Sequence, residues 1–108
     1  MIRNKTQKNI ISKNYSSKNA FGKIKGLIGE KTPRTIILKT RFGIHTFLLK
    51  FPIDVVILNK RNEVVKLKKD LQPNKCFFWN IKFNTVIEFP GGFLEKSKTK
   101  VGDTLEFT

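Results

Sequence analysis

Residues 55–58 read Val-Val-Ile-Leu, apolar at every position. A half-exposed strand alternates apolar and polar residues, so an unbroken apolar run of this length fits a strand covered on both faces. Whatever else the chain does, it must supply that cover. The run is followed by a turn cluster, Asn59-Lys60-Arg61-Asn62, in which Asn62 tolerates a left-handed backbone. Val65 and Leu67 then alternate with Lys66 and Lys68. Together these segments predict a β-hairpin with one buried strand and one half-exposed strand.

The same reading extends outward. Strands are expected over Thr6–Asn14, Thr35–Lys39, Ile44–Leu49, Cys76–Ile81, Thr85–Phe89 and Thr104–Phe107, with breaks at Pro52 and at Pro90-Gly91-Gly92. Ala20, Phe21, Ile24, Leu27 and Ile28 recur at helical spacing and predict a helix over residues 17–28. Ser16 and Ser17 are available as caps, Lys18, Lys23 and Lys25 lie on the other side, and Gly26 permits close approach to a sheet. Phe93–Lys100 predicts a single helical turn. The 108 residues suit one domain. The expected fold is mostly β, of the α+β class. It is a compact, partly closed β-barrel or rolled antiparallel sheet of about seven strands, with the amino-terminal helix packed on it.

Composition excludes several chemistries. One cysteine, Cys76, allows no intrachain disulfide and no cysteine-based zinc site. One histidine, His45, cannot build a multi-histidine metal centre. No apolar run approaches the roughly 20 residues of a membrane-spanning helix, and no apolar core follows the basic amino terminus. The expectation is a soluble cytoplasmic domain with no cofactor and no integral membrane segment. The net charge is +14, concentrated in the first two thirds; residues 70–108 carry five basic and five acidic residues. Such a surface attracts polyanions such as RNA, or anionic membranes. Lys, Ile, Phe and Asn, all with AT-rich codons, make up 49 of the 108 residues, so compositional drift is the competing reading of the charge.

Several segments, in order, resemble the small uncharacterised family known as domain of unknown function 192. They are Gly26-Leu27, His45-Thr46-Phe47, Pro52-Ile53-Asp54-Val55, Glu88-Phe89-Pro90-Gly91-Gly92 and Gly102-Asp103. The resemblance covers roughly residues 20–108. It implies a single small β-rich domain and no agreed activity. Family members often have a small residue at the position of Gly91, and a turn glycine where this chain has Asn62.

His45, Asp54 and Glu88 are the candidates for acid–base chemistry, should they meet in one cleft. Each also has a structural reading. His45 suits a buried imidazole bonded to a backbone carbonyl, Asp54 a buried acceptor of backbone amides near the Phe51–Ile53 bend, and Glu88 a partner of Lys50 or Arg41 or a solvent-facing strand position. Lys18, Lys23, Lys25, Lys66, Lys68 and Lys69 are candidates for phosphate contact. Phe77, Phe78 and Trp79 are candidates for base stacking, for a protein contact or for capping the open end of the barrel, and because they are adjacent in one strand they cannot all face one way. Pro90, Gly92 and Gly102-Asp103 read as backbone geometry. No nucleophile elbow, phosphate loop or metalloprotease motif is present in the sequence. The leading expectation is a non-enzymatic ligand- or protein-binding module. A nucleic-acid-binding domain and a hydrolase-like enzyme are the alternatives.

Overall fold

The computed structural model describes residues 1–18 and 31–108, with only the backbone described at Lys18. In chain order the described elements are β1 (Ile2–Asn4), β2 (Asn9–Ser12), β3 (Ser16–Lys18), β4 (Ile36–Lys39), β5 (Gly43–His45), β6 (Ile53–Leu58), β7 (Val64–Leu71), β8 (Cys76–Phe78), β9 (Thr85–Pro90), α1 (Phe93–Ser97) and β10 (Leu105–Phe107). They form a five-stranded sheet in the order β3-β4-β9-β6-β7, a three-stranded sheet β10-β1-β2, and a two-stranded ribbon β5-β8.

The central sheet explains the apolar run. Every residue of β6 is buried. Cross-strand partners share a face. Val55 pairs with Glu88, and Asp54 pairs with Phe89. Alternation therefore gives one face to Ile53, Val55 and Ile57, and the other to Asp54, Val56 and Leu58. The first face packs with Ile36, Leu38 and Val86 against Phe77, Trp79 and the half-buried Ile44 of the ribbon side. The second packs with Ile87 and Phe89 against Ile2, Ile11, Leu105 and Leu94. Two separate cores thus lie on the two faces of one sheet, the ribbon covering one and the three-stranded sheet with α1 the other.

This arrangement corrects the expected barrel: among the described residues ten strands lie in layers, and the sheets are not closed on themselves. One pair, β3–β4, is parallel. The expected amino-terminal helix falls mainly on residues 19–30, outside the described residues, and Ser17 and Lys18 at its start are strand. The helix described is α1, on the carboxy-terminal side, where the single helical turn was expected. The strand expected over Ile44–Leu49 ends at His45, because Thr46 turns inward. Its amide donates to Lys75 O at 2.8 Å, and its hydroxyl bonds Gln72 O at 2.7 Å and Lys75 N at 2.8 Å. The β6–β7 hairpin forms as read, with Asn62 at φ 60°. Among the described residues no helix is long and apolar enough to cross a membrane.

Candidate functional site

Asp54 carries a charge into the buried strand β6, and only 1% of its surface is exposed. Burial of a carboxylate requires donors for its lone pairs. Oδ1 accepts the amide of Asp70 at 2.8 Å. Oδ2 accepts the amides of Gly92 at 3.1 Å and Leu94 at 2.9 Å. All three donors are backbone, and none comes from the Phe51–Ile53 bend. The Asp70 amide is presented by an irregularity in the β6–β7 pairing between Ile53 and Val55, with Asp70 at φ 54°. The other two belong to the start of α1, whose first residues have no intrahelical acceptor. Gly92, at φ 96°, provides no side chain for capping. A strand carboxylate 38 residues away from Gly92 in sequence does that work.

Around this tie lies a cleft of about 560 Å³. Pro33, Phe51, Pro52 and Pro90 give it apolar walls, and Gly91 and Gly92 line it with backbone. Lys69 and Glu95 stand at its rim, joined by an ion pair of 2.9 Å between exposed side chains. The hydrogen bond from Lys69, then its charge, hold the Glu95 carboxyl below the usual glutamate value. Gly91 sits against Pro52: a Cβ there would lie 3.4 Å from the Pro52 carbonyl oxygen. Residues from two ends of the sequence pattern, Pro52-Ile53-Asp54 and Pro90-Gly91-Gly92, therefore meet in one place. Pro33, Phe51 and Glu95 also line the cleft and were not singled out by sequence. Phe51 reads there only as part of the bend before Asp54, and none of the three carries a local signal of convergence.

The three acid–base candidates do not converge. Asp54 and Glu88 occupy opposite faces of the sheet, as their pairings require. Glu88 is buried, and it is engaged rather than free. His45 is exposed on the ribbon and not buried as its structural reading had it. Its Nδ1 accepts the Phe47 amide at 3.3 Å, and its ring stacks on Phe47 at 5.0 Å. Thr46, its neighbour, is the buried residue of the pair.

Among the described lysine candidates, Lys69 departs from the face that Lys66 and Lys68 share. Strand alternation sends Lys66 and Lys68 to one face of β7. The Lys66 ammonium donates to Phe78 O at 2.6 Å and lies over the Phe77 ring, while Lys69 reaches the cleft rim. Lys68 is exposed. Lys23, Lys25 and Gly26 lie outside the described residues, as does the side chain of Lys18. Of the aromatic run, Phe77 and Trp79 are buried and Phe78 is exposed. The Trp79 indole donates to Phe83 O at 2.8 Å.

Gly102 and Asp103 form a second buried tie. Gly102 adopts φ 97° and leads into the turn before β10. Asp103 Oδ2 accepts the Asn4 side chain at 2.9 Å, the Lys100 amide at 3.0 Å and the Gln7 side chain at 3.1 Å. Burial pushes this carboxyl up, but the bonds from Asn4, Lys100 and Gln7 and the Lys100 charge outweigh it. The net shift is below the ordinary aspartate value.

Among the described residues no group of three or more His, Cys, Asp or Glu side chains is placed to hold a metal ion. Among curated proteins the sequence finds no match. Two solved structures share the fold. One is a protein of unknown function from Novosphingobium aromaticivorans DSM 12444, with TM-score 0.74 and 16% identity, covering 85% of this chain and 74% of that one. The other, described as a candidate transcription regulator, comes from Sinorhizobium meliloti 1021; its TM-score is 0.72 and its identity 12%, with 85% of this chain and 79% of that one covered. The family model for DUF192, described as Uncharacterized ACR, matches residues 23–107, which takes in the ribbon, the cleft and both buried aspartates; the chain belongs to that family.

Proposed function

We propose that the protein is a non-enzymatic binding module and that the cleft over Asp54 is its binding site. The observation that carries this reading is the use made of Asp54. Its carboxylate, 1% exposed at the cleft floor, accepts three backbone amides across both oxygens, so it shapes the cleft and is not presented to a ligand as an acid or base. Ligand sites combine mostly apolar walls with a few fixed polar groups. Here proline rings and Phe51 provide the walls, while the Gly91 backbone and the Lys69–Glu95 pair provide the polar rim. That chemistry suits a short extended peptide segment, or a small molecule with a flat apolar body. The phosphate-binding alternative has less support, because Lys66 and Lys69 already bond to protein groups. The hydrolase alternative lacks the convergence of His45, Asp54 and Glu88 that it requires.

The test is a thermal-shift comparison over a panel of acetylated dipeptide amides containing Leu, Phe or Pro. The wild-type chain is expected to gain melting temperature with at least one member. Gly91→Leu adds a side chain to the cleft lining, against Pro52, at a position outside the left-handed region whose own amide does not bond Asp54, and it is expected to lose that gain while remaining folded. An equal gain in both proteins removes the cleft as the site.

A further inference from the structure

We propose that the outer face of the β5–β8 ribbon docks on an anionic membrane surface. The ribbon's inner side, Ile44 and Phe77, is spent on the core. Its outer side presents Phe78 and, at the flanking turns, Phe42, Phe47 and Leu48, with exposures of 51%, 54%, 45% and 77%. Phe42 packs on Phe78 at 5.3 Å between ring centroids, and Phe47 stacks on His45. Since Gly43 and His45 pair with Phe78 and Cys76, these groups share one surface.

Two of the four apolar residues sit where the backbone favours glycine. Phe42, at φ 81°, is the central residue of a tight turn closed by the Gly43 amide donating to Arg41 O at 3.0 Å. Leu48, at φ 69°, is the third residue of a turn closed by the Leu49 amide donating to Thr46 O at 3.2 Å. Glycine or asparagine would be the cheaper choice at both. The fold thus holds bulky apolar side chains outward at the tips of strained turns, and strain of this kind concentrates at working surfaces.

The charge around these tips selects the partner. Lys39, Arg41, Lys50, Lys75 and Lys82 are exposed in the ribbon and its flanking segments, and residues 31–53 and 71–87 contain no Asp or Glu. Apolar tips preceded or followed in sequence by Arg41 and Lys50, in segments free of acidic residues, suit an interface of acyl chains under anionic headgroups. An RNA groove would instead need open stacking faces, whereas here Phe42 packs on Phe78 and Phe47 stacks on His45.

Flotation of the full chain with phosphatidylcholine vesicles, with and without one quarter phosphatidylglycerol, tests the proposal. Each cation near an anionic surface contributes roughly fivefold in affinity, so partitioning should favour the anionic vesicles by at least about tenfold and weaken as salt rises. Leu48→Gly relaxes its turn, so the variant should remain folded by circular dichroism yet lose severalfold in binding. Phe47→Ser should behave alike. No binding to anionic vesicles at low salt overturns the proposal. So does equal binding by the folded Leu48→Gly variant, or capture of single-stranded RNA with the vesicles ignored.

Discussion

At the scale of single residues, two buried aspartates hold the structure together through donors that are mostly backbone amides. Asp54→Ala would leave three amides without an acceptor, two of them at a helix start. The expected loss is about 2–4 kcal/mol in urea-monitored unfolding, because hydrogen bonds to a charged acceptor are worth more than neutral ones and orphaned donors are costly. Asp54→Asn should cost less than Asp54→Ala while still destabilising, since one acceptor oxygen becomes an NH₂ group facing a donor. Asp103 gives a pH prediction. Its folded value lies below its unfolded one, so the stability it contributes is present above about pH 4 and is lost as pH falls through the folded value. Unfolding midpoints measured from pH 6 down to pH 2.5, an ordinary acid range, should fall more steeply for the wild type than for Asp103→Asn. Leu48 is the opposite case, an exposed residue whose left-handed backbone costs about 1–2 kcal/mol that glycine would recover in part. Leu48→Gly should therefore leave the melting temperature unchanged or raised.

At the scale of elements, what was legible in the sequence was local. The β6–β7 hairpin announced itself through an unbroken apolar run, an asparagine able to turn left-handed, and a strand of alternating lysines. Asp54 was readable as buried because it stands among apolar residues, although its donors were not, because they arrive from β7 and α1 through pairings that no local pattern encodes. His45 was misread by one position. Side chains alternate faces along a strand, so placing Thr46 inward puts His45 outward. The three residues of β1 were too few to show a period, and Ile2 became core only by pairing with β10 and β2. The lysines of β7 have a structural use as well. β7 is an edge of the central sheet, and exposed lysines there discourage pairing with a second chain. Thr46 is the matching tie on the ribbon side. Thr46→Val removes a hydroxyl bonded to Gln72 O and Lys75 N, and should cost about 1–3 kcal/mol, read as a lowered unfolding midpoint.

At the scale of the whole molecule, the doubly buried strand forces a layered plan: one sheet, a core on each face, and a different cover for each. The barrel expectation failed at this level. Strand count and short connections cannot say whether neighbouring strands close one sheet or divide among three. Layering also separates the surfaces that matter. The cleft lies where β6, β7 and β9 meet the start of α1, and the aromatic ribbon covers the opposite core. The binding proposed for the cleft and the docking proposed for the ribbon therefore draw on different exposed residues, although Phe51 touches both the cleft and the ribbon-side core, and Leu48→Gly should leave cleft binding intact. The most direct test of the binding reading is an amide proton–nitrogen correlation spectrum of the wild-type chain titrated with the dipeptide amide giving the largest thermal shift. The account predicts saturable changes centred on the amides of Asp70, Gly91, Gly92 and Leu94, absent in Gly91→Leu. Changes that map instead to the ribbon, or that persist in Gly91→Leu, would contradict it.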